Sequence, residues 1–548
     1  MISQILMVMI AAIALTIFAE RRQIQAPLLL AAVGIVVSFV PGLPHVEVPA
    51  NVLLGFVLPP LLYSAALNFS FYSFMRRLSS ITNLGVALVL VTAFAGSIAV
   101  MAIIPEMSFA LALLLGAVVA PPDAVSAVAI GSQLHLPRRV MTILKGESLI
   151  NDAAALTLFA AAATMVTGGG HFIENPFLYF LYSTVAGIVI GIILGHVVHF
   201  IRCRLSNPTM ITTLTIILPF AAYALAEEVH ASGVLSVVFA GFVCGHKAPE
   251  MSLAGRLQER DVWRVFDALL EAFVFAYIGL QFSSIIENAK NEGFNLLLLM
   301  KASAALLVTV IVVRLLWIFL SDRVARLIYK TKHEKWRRDN KLYALPEPLN
   351  WRENLVLSWS GMRGVVTLAA AAGVPVVAST GVPVTGWGAV LPIAFVVAIG
   401  TLLLQGLSLP WLISKLGVND AKDKKYFQEQ LLYAHSVANK ARIQALHELQ
   451  QNNKTKESAD VAGRMLRRAQ KETQENTELS VTMNERRRNR LSNILEIIRF
   501  VLIEQRGALL DARSADDLDD EVVRRMLDDM DLEQAFIERR AERAAKGF

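Results

Sequence analysis

The sequence predicts an all-helical polytopic membrane protein that ends in a polar, helical tail. Three observations predict it. Of 548 residues, 55% are hydrophobic and only 18% are charged, whereas an average soluble protein is about a quarter charged. The charge is also uneven, sparse from Met1 to Leu416 and dense from Gly417 to Phe548, which divides the chain into a membrane part (1–416) and a tail (417–548). Finally, the membrane part falls into about thirteen apolar runs, most of them near the roughly 20 residues that a bilayer-crossing helix needs.

In order, the runs cover about 2–19, 26–41, 51–67, 82–104, 108–130, 147–167, 176–201, 209–227, 231–246, 264–284, 295–320, 354–376 and 386–414. The first, "MISQILMVMIAAIALTIFAERRQ", has no basic residue ahead of its apolar stretch, and Arg21 and Arg22 follow it. It reads as a retained span with its N-terminus outside, and not as a secretory leader. That orientation assigns every loop to a side. The loops placed inside hold Arg21 and Arg22; Arg76 and Arg77; Arg138, Arg139 and Lys145; Arg202 and Arg204; Lys247, Arg256, Arg260 and Arg264; and the basic "SDRVARLIYKTKHEKWRRDNK". The outside loops "IPEMS", "TGGGHFIEN", "EEVHA" and "STGVPVTG" hold no Lys or Arg, and "ENAKNEGF" adds only Lys290. One helix more or fewer would scramble this pattern, so the chain reads as inner-membrane and multi-pass with a cytoplasmic tail.

The net charge of +6 therefore follows topology and does not imply nucleic acid. Cys203 and Cys244 alone make neither a disulfide framework nor a zinc spacing, and read as free thiols. In the tail, "QQNNKTKES" reads as a linker, and "LSNILEIIRFVLIEQRGALL" (Leu491 to Leu510) as a buried or dimer-forming helix too charged to span. No catalytic triad or metal-enzyme spacing appears. Neither enzyme chemistry nor a cofactor is expected.

The informative residues are the polar ones inside the apolar runs. In "LKGESLINDAAAL", Glu147, Ser148, Asn151, Asp152 and Ala155 share one helical face, with small and apolar residues around the rest. Too few residues follow Asp152 before "TGGG" to cross a bilayer, so the span includes Glu147 to Asp152. The preceding run, "ALLLGAVVAPPDAVSAVAIG", carries Pro121 and Pro122 mid-span with Asp123 directly after. The prolines remove two backbone donors and free carbonyls, which suit cations. Near the far end, Gly361 and Gly364 bracket Arg363 in "SWSGMRGVV", and an arginine at that depth calls for a carboxylate partner. Two interrupted, charged spans, one in each half, point to the binding site of an inverted-repeat transporter. Arg314, in "LLVTVIVVRLLWIFL", either pairs with an internal carboxylate or snorkels toward Asp322.

At these residues the chain resembles a known family. "LPPLLYSAALN", "APPDAVSAVAI", "GESLINDA" and "SWSGMRGVV" are similar, in order, to blocks of the monovalent cation:proton antiporter-1 family, and the resemblance extends to about Leu416. It implies a thirteen-span fold with discontinuous crossing helices, a homodimer, and exchange of a monovalent cation for a proton. Asp152 matches the residue that binds proton and cation in turn. Asn151 matches the asparagine of electroneutral members, Ser148 a coordinating hydroxyl, and Asp123 the aspartate of the family's helix break. Glu147 and Arg363 match a structural ion pair. Two positions depart from the pattern: Pro122 precedes Asp123 where relatives have threonine, and Ser64 stands where many have an acid. Sodium is the first expectation for the cation, with potassium and lithium as alternatives. A cation channel is the rival reading, and a sensor signalling through the tail is another.

Overall fold

The computed structural model describes residues 2–418 apart from 23, 41–52, 70–73, 76, 168–174, 292, 339–347, 373 and 375–385, together with 440, 441, 443–448, 463, 464, 466 and 467. The chain divides into two compact units, Met1–Asp420 and Ala421–Phe548. The tail segment Leu491 to Leu510 and the linker "QQNNKTKES" lie outside the described residues.

Every element among the described residues is helical. In chain order they are α1 (Ile2–Arg22), α2 (Ala26–Ser38), α3 (Leu58–Leu67), α4 (Leu78–Met101), α5 (Phe109–Val119), α6 (Ala124–Gln133), α7 (Arg138–Thr167) and α8 (Pro176–Arg204). There follow α9 (Pro208–Glu228), α10 (Gly233–His246), α11 (Leu253–Leu280), α12 (Phe282–Asn291), α13 (Leu296–Arg338), α14 (Trp351–Trp359), α15 (Val365–Ala372) and α16 (Val390–Leu416). Seven described helices are long and apolar enough to cross a bilayer alone, and Ala26–Ser38, Gly55–Leu67, Phe109–Val119 and Gly233–His246 are shorter apolar helices. The two runs read as interrupted are pairs of half-helices, α5 with α6 and α14 with α15. The same order recurs in both halves: long helix, broken pair, long helix (α4 to α7, then α13 to α16).

Local chemistry sets the helix starts. Ser108 caps α5, accepting from Leu111 N–H at 3.3 Å, and Ser232 caps α10 through Leu235 N–H at 3.3 Å. Pro208 opens α9 behind the Asn207 cap, and Asn350 with Glu353 forms a capping box on α14. Such caps satisfy the donors a helix start leaves over.

Without water between helices, close packing replaces the hydrophobic drive and favours small residues. The neighbours fall into two sets: α8 with α10, α3 with α10, and α2 with α11; then α4 with α5 and α13, and α5 with α7. At Gly191 on α8 a Cβ would overlap the Ser236 carbonyl of α10, and at Gly116 on α5 one would overlap the Ala93 carbonyl of α4. Two ion pairs add cross-links, the first buried and the second partly exposed on its arginine. Arg202 of α8 meets Glu259 of α11 at 3.2 Å, and Arg139 of α7 meets Glu353 of α14 at 2.7 Å.

Gly191→Ala should therefore destabilise the protein by about 1–3 kcal/mol, read as a lower melting temperature in detergent. Gly55→Ala, where a Cβ meets nothing within 4 Å, is the control expected to leave melting unchanged.

Candidate functional site

The two helix breaks meet. Between α5 and α6 the backbone leaves the helix at Pro121 to Asp123, and between α14 and α15 at Gly361 to Gly364. The Asp123 N–H donates to the Met362 carbonyl at 2.6 Å, tying one break to the other. A Cβ at Gly364 would overlap the Asp123 carboxylate, so the close approach requires glycine there.

Arg363 is 2% exposed and satisfies the carbonyls that the broken α5 leaves open. Its Nε donates to Val119 O at 2.9 Å and Nη2 to Ala120 O at 3.1 Å, and Nη1 donates to Gly361 O. Its backbone N–H reaches Thr401 Oγ1 of α16 at 3.0 Å. A guanidinium at the C-terminal end of a half-helix also meets the negative end of its dipole.

This overturns the pairing expected for Glu147. Glu147 and Arg314, both 1% exposed, form the buried ion pair. Arg314 Nη2 donates to Oε2 at 2.9 Å and Nη1 to Oε1, a two-pronged contact. Arg314 Nη2 also reaches Leu357 O of α14 at 3.1 Å. The physical reason is position. Arg363 sits in the break and spends its donors on adjacent carbonyls, whereas Arg314 extends from a continuous helix toward α7. Snorkelling of Arg314 to the interface is excluded by its burial.

One turn along α7 from Glu147, Asn151 is fully buried and its Nδ2 donates to Pro122 O at 2.7 Å, holding the break's other loose carbonyl. Its Oδ1 has no partner among the described residues. Asp152 is 6% exposed and lies within electrostatic reach of Asp123. Ser148, half-buried, precedes Asp152 by one turn on the same face. The structure thus gathers Asp123, Ser148, Asn151 and Asp152 around one crossing.

Sequence reasoning missed a further pair of acids. Ser64 Oγ of α3 donates to Asp267 Oδ2 of α11 at 2.5 Å. Glu271 lies one turn further and within electrostatic reach of both Asp267 and Asp123. The signal was available: both acids lie inside the apolar run of about 264–284, where intramembrane carboxylates are expensive. At position 64 the resemblance offers a serine in place of an acid, and here α11 brings a carboxylate to that hydroxyl.

None of Asp152, Asp267 and Glu271 makes an ion pair among the described residues. The arginines nearby are committed to Glu147 and to backbone carbonyls. Such a site offers oxygen ligands and uncompensated negative charge, the requirement of a hard cation or a proton.

Comparison with known proteins places this geometry in context. The sodium/hydrogen exchanger transmembrane family matches residues 8–415. An uncharacterised Na+/H+ exchanger of Mycobacterium tuberculosis is 30% identical over 97% of this chain and 95% of its own length. The Na+/H+ antiporter ApNhaP of Aphanothece halophytica is 27% identical over 74% of this chain and 73% of its own. The solved sodium proton antiporter MjNhaP1 of Methanocaldococcus jannaschii shares the fold, with TM-score 0.57 and 17% identity, covering 76% of this chain and 98% of that one.

Removing one partner of a buried ion pair costs about 3–5 kcal/mol. Arg314→Ala should lower the melting temperature accordingly, and adding Glu147→Gln should recover much of the loss. Arg363→Ala should gain nothing from Glu147→Gln. The reverse pattern in melting curves would reassign the pair.

Proposed function

The chain belongs to the sodium/hydrogen exchanger family, a family of transporters, and we propose that it exchanges a monovalent cation for a proton by competition at Asp152. Sodium is the first candidate, with potassium and lithium as alternatives. The observation that carries this reading is a buried carboxylate, Asp152, with no ion-pair partner among the described residues. A bare carboxylate in such surroundings is costly, so it is accompanied by a proton or by a cation. It cannot be fully occupied by both.

When Asp152 gives up its proton, the Ser148 hydroxyl, the Asn151 Oδ1 and the Asp123 carboxyl supply further oxygen ligands around the incoming ion. Asn151 holds Pro122 O and carries no titratable proton, so one positive charge replaces another at Asp152 and exchange is electroneutral. Alternating exposure follows from movement of the set containing α4 to α7 and α13 to α16 against the set containing α3, α8 and α10. In this reading the N-terminus lies outside, Arg21, Arg22, Arg202 and Arg204 lie at the cytoplasmic face, the tail is cytoplasmic, and the protein works as a homodimer in a bacterial inner membrane.

Asp152→Asn should abolish cation-driven proton movement in proteoliposomes while melting as a folded protein. Retained exchange would refute the assignment. Asp267→Asn should raise the cation concentration for half-maximal exchange about tenfold, equivalent to about 1.4 kcal/mol of lost attraction. Ser64→Asp in the same chain should restore much of it, because the two side chains already touch. An unchanged concentration dependence in Asp267→Asn would remove Asp267 from the cation's surroundings.

A further inference from the structure

Away from the crossing, the end of α8 and the turn leading into α11 bring together a different set of donors. His199 and Cys203 lie one turn apart on α8, and Glu250 closes the short helical turn Ala248–Glu250 after α10. His199 Nε2 lies 2.9 Å from Glu250 Oε2 and 3.4 Å from Cys203 Sγ, and the three ligand atoms all fall within 4.8 Å of one another. The His199 side chain is 6% exposed, whereas that of Glu250 is 59% exposed and Cys203 is exposed. The imidazole is therefore fixed by packing while the other two donors reach the surface.

We propose that His199, Cys203 and Glu250 form a binding site for a divalent transition-metal ion, with zinc as the best fit. Zinc bonds of about 2.3 Å to sulfur and about 2.0–2.2 Å to nitrogen and oxygen, in a tetrahedron, put the ligand atoms roughly 3.4–3.6 Å apart. The imidazole–thiol separation matches that already. The imidazole–carboxylate separation needs a shift of a few tenths of an ångström from an exposed glutamate. Thiolate plus imidazole plus carboxylate suits zinc and excludes sodium, magnesium and calcium, which take oxygen donors. The site is thus chemically separate from the one at Asp152. A thiolate and a carboxylate also neutralise the ion's two charges, which fits a surface that already carries Lys247 and Arg204.

The backbone around the site is preformed. Glu250 N–H donates to Lys247 O at 3.0 Å and Met251 N–H to Ala248 O at 3.1 Å, and Arg256 Nη1 donates to Met251 O at 2.7 Å. A bound ion would join the end of α8 to the turn that starts α11, the helix bearing Asp267 and Glu271. Three protein ligands leave a fourth position for water. The sequence hint was the His-x-x-x-Cys spacing, which reads as a ligand pair only on a helix. Glu250 is too far along the chain to have been joined to it.

The test uses the full-length protein in detergent, stripped with a chelator and titrated with zinc chloride alone. One zinc per chain is expected, with a melting temperature that rises with free zinc and no competition from excess magnesium. Cobalt in place of zinc should give a thiolate charge-transfer band that disappears in Cys203→Ser. His199→Ala and Cys203→Ser should each weaken zinc binding at least about tenfold, while Cys244→Ser and Asp152→Asn leave it unchanged. Absence of stoichiometric binding, or binding indifferent to His199→Ala and Cys203→Ser, would overturn the site. Neither result depends on whether the protein exchanges ions.

Discussion

Backbone carbonyls and amides cannot stay unpaired in a medium without water, and the organisation of this protein's centre follows from meeting that demand at two broken helices. Pro121 and Pro122 stop α5, and where the chain leaves the helix the carbonyls of Val119, Ala120 and Pro122 accept from side chains in place of helical N–H groups. Arg363 serves the first two and Asn151 the third. The second break lends its own Met362 carbonyl to Asp123 N–H. Each interruption is thus repaired by the other or by α7. The repairs bring side chains from α7, the break after α14 and the break after α5 to one place, so the geometry that solves a backbone problem also builds the polar site.

The charge balance follows from the same repairs. Arg363 is consumed by carbonyls, and Arg314 by Glu147 and Leu357 O. Neither is left for Asp152. Had Arg363 faced Asp152, their attraction in a poorly screened interior would favour a permanent ion pair, and a transported ion would have to displace a fixed guanidinium. Keeping the arginines occupied leaves Asp152 without an ion-pair partner among the described residues, as the proposed exchange requires. The Glu147–Arg314 pair contributes rigidity instead, joining α7, α13 and α14 beside the breaks.

Much of this was legible in the sequence. A buried acid in "GESLINDA" and two interrupted spans followed from composition and helical spacing, because hydrocarbon penalises charge and unpaired backbone so heavily that exceptions stand out. The partner of Glu147 was not legible from the residues, because both arginines lie inside apolar runs and only the folded backbone shows which has spare donors. Asp267 and Glu271 obey the rule that exposed Asp152. They were passed over because they fall near the start of an apolar run, where a carboxylate also reads as interfacial. The count of about thirteen spans came from the apolar runs and was tested by loop charge, and the seven long helices and four shorter ones among the described residues reflect how breaks and short helices blur a count made by length and hydropathy. The cluster at His199 was only half legible: His199 and Cys203 share a helical spacing, whereas Glu250 is brought to them by folding.

The acids at the centre are divided between the two helix sets, and that division bears on coupling. Asp123 and Asp152 belong to α7 and its neighbouring break, whereas Asp267 and Glu271 belong to α11, which packs on α2. Like charges repel by up to about 4 kcal/mol at 4 Å under moderate screening, and the repulsion falls as they separate. A proton or cation on one acid removes part of that repulsion, so occupancy and the separation of the two sets depend on each other. An empty, fully ionised site opposes their close approach, and an occupied one relaxes it. In the proposed exchange, a carrier that must not move while empty would draw such a dependence from carboxylates placed on both helix sets. Collecting them all on α7 would leave the sets indifferent to occupancy. In that proposed exchange it would also remove the electrostatic barrier to the empty site's return.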